Sequence, residues 1–282
     1  MPVSGDKSMV PRGPGGGAPA ATEGCPDDAW EAFPAAFRAI TAPLPPPWRD
    51  LFAPLRTGTV DDLVVIGQIG QSLDGRVATP SGHSHYINGL QGRAHLHRLR
   101  ALVDAVVVGV GTALADDPQL TVRLVAGPHP ARVVLDPNGR LPATARMLAA
   151  DGVRRIVVTT AAAAARLPPG IEVIAIPTTD GRFAPDRILD ALAARGLRRI
   201  LIEGGGHTVS GFLSAGCLDR LHVLMAPIIL GSGRPGLALG PIERVDEALR
   251  PPVTTFPLGD DMLFDCDLSA QRVPIGRAKT ST

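Results

Sequence analysis

The stretch Arg199-Ile200-Leu201-Ile202-Glu203-Gly204-Gly205-Gly206-His207-Thr208 constrains this chain more than any other. Residues 200–203 predict a buried strand with one carboxylate at its end, and residues 208–213 predict a helix start. Three glycines lie between. A strand that turns through glycines into a helix presents bare backbone N–H groups to an anion, with no Cβ in the way. The same turn also serves simply to pack a helix against a strand, and one glycine-rich turn does not choose between the two. A second stretch, Val108-Gly109-Val110-Gly111-Thr112, repeats the order of strand, glycines and helix start. Two such turns weigh more than one, and nucleotide phosphates are common users of them.

Around these turns, strands and helices alternate. Short β-branched runs predict strands over residues 63–70, 105–110, 132–136, 156–160 and 171–176, with 221–230 as a long closing strand. Helical periodicity marks residues 88–102 and 186–194, the latter with Ile188, Leu189 and Leu192 on one side. This order predicts an α/β fold with a mostly parallel sheet covered on both faces. In the helix 88–102, Asn88 and Gln91 are spaced like a capping box, and Leu96, Leu99 and Val103 form the apolar stripe. Arg93, His97 and Arg100 share another face, read either as a solvated basic stripe or as ligand contacts.

The first sixty residues read as an appendage. Residues 1–24 are rich in Gly, Pro and Ala and are expected to be disordered. A short amphipathic helix over 27–38 would carry Trp30, Phe33 and Phe37 on one side, with Pro34 inside the pattern. Residues 43–47 form a stiff, proline-rich linker. The expected organisation is an appendage over 1–60, one domain over 61–268 and a tail over 269–282.

The chain has 282 residues, 45% of them hydrophobic but only 4% aromatic, so its core should be aliphatic. A net charge of +1 gives no basis for nucleic-acid or membrane binding by charge, and no apolar run approaches a membrane span. Three widely spaced cysteines, Cys25, Cys217 and Cys266, fit a reducing cytoplasm and no zinc site. The zinc deaminase signature, the P-loop and the G-x-S-x-G elbow are all missing. Residues 231–236 match G-x-G-x-x-G, but Pro235 and the lack of a following helix argue against a Rossmann layout. His83 and His85 have no third metal ligand nearby, and the adjacent Asp116 and Asp117 would point apart. Asp116 reads instead as a turn residue or a polar hook for a ribose or amide. The loop Ser72-Leu73-Asp74-Gly75-Arg76, continued by residues 82–86, is rich in donors and acceptors. Such loops at strand ends are where α/β proteins bind ligands, though a plain surface hairpin would look the same.

Taken together, these stretches resemble the reductase domain of the bacterial riboflavin-biosynthesis deaminase-reductase. The likeness runs through residues 72–76, 81–87, 99–101 and 108–112, then Leu114-Ala115-Asp116-Asp117-Pro118 and Leu120-Thr121-Val122-Arg123. It continues through Val134-Leu135-Asp136, Glu203-Gly204-Gly205-Gly206 and Ala226-Pro227, covering about residues 63–264 in order. The resemblance implies a three-layer, dihydrofolate-reductase-like fold and an NADPH-dependent homodimeric enzyme. Its reaction would reduce the ribosyl group of 5-amino-6-(5-phosphoribosylamino)uracil, or its deamination precursor, to ribityl. Position by position, Ser84, Arg100, Leu120, Arg123 and Glu203 match substrate contacts, with Arg100 and Arg123 as cations for the 5′-phosphate. Gly70, Tyr86, Thr112, Asp116 and the turn 205–211, including Gly205, Gly206, His207 and Thr208, match cofactor contacts. Glu203 and Asp74 are the candidate acids of the reaction, and no metal is implied. The chain departs from the pattern with Gln68 in place of a frequent Lys, Tyr86 for Trp, and Pro137 for Ser. A pterin reductase acting on a compound such as dihydrofolate, and a non-catalytic nucleotide-binding protein, are the competing readings.

Overall fold

The β-branched runs become strands because each must bury side chains on both faces. The computed structural model describes residues 28–46, 48–58, 60–85 and 87–275. The disorder expected of residues 1–24 and the contact expected of Tyr86 lie outside the described residues. In chain order the strands are β1 Val64–Ser72, β2 Arg76–Ala78, β3 Ala105–Gly109, β4 Ala131–Leu135, β5 Arg155–Thr159 and β6 Glu172–Ala175. They continue as β7 Arg199–Ile202, β8 Arg220–Ala226, β9 Arg234–Pro235, β10 Val253–Leu258 and β11 Asp261–Asp267. Nine of them form one sheet in the order β10-β11-β8-β1-β7-β3-β4-β5-β6, while β2 and β9 pair separately. From β8 to β6 every pairing is parallel; β11 and β10 add an antiparallel edge.

Two apolar layers sandwich this sheet. On one face Val64, Ile66, Val106, Val108 and Leu201 pack under α4 (Leu90–Leu102) and α5 (Val110–Asp116), the helix that follows β3. On the other, Val65, Val107, Ile200 and Ile202 meet α7 (Pro185–Ala193) and α8 (Gly206–Ser214). Ile188, Leu189 and Leu192 are buried on α7, as its periodicity predicts. The α/β class, with a largely parallel sheet and helices on both faces, is therefore the observed one.

Several local expectations are corrected. Helix α4 starts two residues later than Asn88, from Gly89, with no side-chain cap. Asn88 instead donates to the Leu224 carbonyl at 3.3 Å, and the Asp261 carboxylate accepts the Gly89 amide at 2.8 Å. Strand β8 ends at Ala226 because Pro227 has no N–H to continue the ladder. It does not close the sheet, since the β10–β11 hairpin lies outside it; Pro257 marks β10 as an edge strand.

The described part of the segment read as an appendage packs into the first apolar layer. It contributes α1 (Asp28–Glu31), α2 (Phe33–Arg38) and α3 (Arg49–Phe52). Trp30, Phe33, Phe37, Trp48 and Phe52 are buried in the same cluster as Leu99 and Val106. Pro34 sits in the first turn of α2, where its missing N–H costs no hydrogen bond. Arg56 donates to the carbonyls of Ala36, Phe37 and Ala39 and so closes the end of that helix.

Candidate active site at the carboxyl ends of the central strands

Strand β7 extends by one more bond, the Glu203 amide donating to the Val107 carbonyl at 2.9 Å, and then breaks into the glycines. The Glu203 carboxylate is 4% exposed and is forked by Arg100 of α4, Nε to Oε1 at 2.7 Å and Nη2 to Oε2 at 2.7 Å. Arg100 also donates from Nη1 to the Thr121 carbonyl at 3.1 Å. Burial opposes its charge, but Glu203 more than offsets this, and the Arg100 pKa lies above its ordinary value. This corrects the expectation that Arg100 grips a phosphate directly. The guanidinium edge a phosphate would take is already on Glu203. The reading of α4's basic face as solvated also fails, since His97 and Arg100 are both buried.

Arg123 remains the cation of the expected pair with an exposed side chain. Its Nη1 donates to the Thr121 hydroxyl at 2.7 Å, so one residue touches both arginines. Partial desolvation and the charges of Arg100 and Arg146 lower its pKa. Leu120, just before, is buried with φ +54°, a left-handed conformation that few non-glycine residues adopt.

The two glycine turns interlock. Gly204 has φ +98°, and a Cβ there would stand 2.9 Å from the Thr112 hydroxyl. A Cβ on Gly109 would stand 2.5 Å from the Thr208 hydroxyl. The first turns of α5 and α8 thus lie side by side, and only glycine allows the approach. The turn is not wholly open, which corrects the expected cradle. The Gly205 amide donates to Thr112 Oγ1 at 2.8 Å, and Gly206 is covered by the Gly236 carbonyl, 2.2 Å from where its Cβ would be. His207 stays exposed and Thr208 half-buried in the first turn of α8, where the Thr208 amide donates back to the Gly205 carbonyl at 3.0 Å.

Gly70 lies on β1, where a Cβ would fall 2.0 Å from Asn88 Oδ1; this glycine makes room for the Asn88 side chain. Ser84 is half-buried in the loop after β2. Asp116 ends α5, and desolvation raises its pKa against the pull of His85 and Arg234. Asp74 is corrected outright as a proton donor. Its Oδ1 accepts from the Ser72 hydroxyl at 2.6 Å and the Leu230 amide at 3.0 Å, and its Oδ2 from the Gly231 amide at 2.7 Å. These bonds, Ser72 first, lower its pKa to about 2, and it pins the 72–76 loop to the 230 loop. The sequence reading did not single out Thr121 or His129, although Thr121 lay inside a stretch it quoted. Among the described residues no group of His, Cys, Asp or Glu could hold a metal ion, and no helix is long and apolar enough to cross a membrane.

Fold and site define an α/β protein with a mostly parallel sheet, a buried arginine–glutamate fork and glycine turns at the carboxyl ends of its strands. The profile of the RibD C-terminal domain matches residues 64–250. The 2,5-diamino-6-ribosylamino-4(3H)-pyrimidinone 5′-phosphate reductase of Methanothermobacter thermautotrophicus is 35% identical over 211 residues, spanning 71% of this chain and 96% of that protein. The riboflavin biosynthesis protein RibD of Aquifex aeolicus is 35% identical over 184 residues, 64% of this chain and 50% of that protein. The solved deaminase/5-amino-6-(5-phosphoribosylamino)uracil reductase of Thermotoga maritima superposes with a TM-score of 0.64 at 29% identity, over 77% of this chain and 58% of that one. The chain belongs to the RibD C-terminal domain family. It spans about half the length of the RibD proteins it matches and nearly all of the archaeal reductase.

Proposed function

We propose that this chain is an NADPH-dependent reductase that converts the ribosyl group of a 5-phosphoribosylamino-pyrimidine to ribityl in riboflavin biosynthesis. The observation that carries the reading is the buried Arg100–Glu203 fork, set between the interlocked glycine turns and the exposed Arg123. The glycine turns support a dinucleotide because they bring the first turns of α5 and α8 side by side at the strand ends, where helix amino ends favour phosphates. When bound, the reduced nicotinamide supplies hydride to the opened sugar carbon. The chain's own residues orient and neutralise: Arg123, with Arg146 close by, holds the sugar phosphate, and Arg100 keeps the Glu203 carboxylate aligned. Glu203 is the proton-handling candidate, since Asp74 is engaged in the loop.

The reading takes NADPH rather than NADH as the hydride donor. The same reading takes the enzyme as a cytoplasmic homodimer, its seam including the exposed Ile229 past β8.

Turnover assays with the pyrimidine phosphate, before and after deamination, against dihydrofolate test the proposal. Reduction of a pyrimidine phosphate with NADPH at much higher kcat/KM than either dihydrofolate or NADH is expected. Preference for dihydrofolate would give the pterin reading, and failure to perturb NADPH fluorescence would give the non-catalytic one.

A further inference from the structure

We infer that His97 positions Arg123 for the substrate's phosphate, an inference that rests on the reductase reading. Residues 117–123 belong to no strand and, beyond the end of α5, to no helix. Asp117 and Leu120 hold left-handed backbones, φ +38° and +54°, that repeat in no regular structure. Backbone groups in such a segment still need partners. Here side chains supply them: Arg100 donates to the Thr121 carbonyl, His129 Nδ1 accepts the Val122 amide at 3.1 Å, and His97 Nδ1 accepts the Arg123 amide at 2.9 Å. His97 and Arg100 are three residues apart on α4 and so share a face. One helix face therefore sets both halves of the site, Glu203 through Arg100 and Arg123 through His97.

A ring nitrogen that accepts an N–H must carry no proton, which puts the imidazole proton on Nε2. The charged groups acting on the ring are Arg93 and Arg100 from α4 and Arg123 from the loop. Burial first, then these cations, lower its pKa to about 3, so the acceptor persists at any assay pH near neutrality. With its backbone pinned by His97 and its Nη1 tied to Thr121, Arg123 presents the rest of its guanidinium in a set direction. A fork that binds phosphate through parallel N–H bonds depends on that direction.

The test pairs kinetics with amide exchange on the full chain. His97→Leu is expected to raise KM for the phosphorylated pyrimidine about tenfold, the effect of losing one well-placed contact, with kcat and KM for NADPH within about twofold. His97→Asn, whose amide oxygen stands close to the place of Nδ1, is expected to restore KM. Hydrogen exchange at the Arg123 amide should be slow in the parent and in His97→Asn, and fast in His97→Leu. If His97→Leu does not fold, His97→Met serves as the variant without an acceptor. A parallel rise in both KM values, an Asn variant as impaired as Leu, or an unchanged Arg123 exchange rate overturns the inference. The exchange measurement needs no turnover. An inactive parent would therefore remove the reductase reading while exchange still decides what holds Arg123.

Discussion

The Arg100–Glu203 fork is buried and the Arg220–Asp265 fork nearly so, and they differ in what surrounds them. Arg220 of β8 forks Asp265 of β11, with Nε to Oδ1 at 2.9 Å, and reaches Asp267 from Nη1 at 3.0 Å. The Asp265 carboxylate also meets His222 Nε2 at 3.2 Å; His222 Nδ1 lies 3.0 Å from His95 Nε2, and the His95 ring stacks on Phe52. Every member of that chain sits in a regular element; Phe52 of α3 covers the His95 end, while Arg220 and Asp267 line a cavity with Pro54, Thr57 and Asp219. The Arg100–Glu203 fork has the same chemistry but stands where β7 gives out, flanked by glycines, a left-handed leucine and an exposed arginine. The comparison teaches that a buried ion pair is not a site by itself. One of the two stands at irregular backbone where β7 gives out, and the other lies within the β8–β11 ladder.

The largest expected effect separates the two forks by activity. Arg100→Met should lower kcat/KM about 100-fold or more, the scale for losing a preorganised charged group beside reacting atoms. Asp265→Asn should instead cost about 1–3 kcal/mol of stability, because Arg220 keeps only Asp267 as a charged partner, and leave kcat/KM of the folded enzyme nearly unchanged. Urea unfolding run beside steady-state kinetics would show it. Comparable kinetic losses in both variants, measured where both are folded, would erase the distinction.

A smaller effect is expected at the glycine turn. Gly204→Ala must hold φ +98° and bring a methyl to 2.9 Å from Thr112 Oγ1, so KM for NADPH should rise about tenfold while that for the pyrimidine changes little. Fluorescence titration of NADPH measures this directly.

The smallest is a pH effect that tests each fork's histidine. His97, beside the Arg100–Glu203 fork, and His95, behind the Arg220–Asp265 fork, both have pKa values pushed down, chiefly by burial. The unfolded chain takes up protons near pH 6.5 that the native rings refuse. Their contribution to stability is therefore complete above that pH and falls as pH drops from about 6.5 toward 3. Melting temperature followed from pH 7.5 to 4 should decline. His97→Asn should make the decline shallower by up to one proton's share, about 1.4 kcal/mol per pH unit.

Much of the sheet could be read in advance, because a strand buried on both faces has to be a short β-branched run. The glycines at 109 and 204–206 were legible as turns, but that they make room for Thr208 and Thr112 was not, since those partners lie far along the chain. Asp74 was misread because its three donors include amides 156 and 157 residues away, which no local pattern shows. The aromatics of residues 28–55 looked like an appendage because their helices are short; their burial comes from α4, far along the chain.

Alternation of apolar runs and glycines determined, by the sequence alone, an α/β sheet with glycine turns at the ends of two of its strands. Periodicity records which side chains avoid water, and that is a local property. Only the tertiary structure decided that Arg100 belongs to Glu203, 103 residues on, and that Arg123 is left to face outward. A buried charge is matched by whichever partner the packing brings within about 3 Å, and packing joins residues without regard to their distance along the chain.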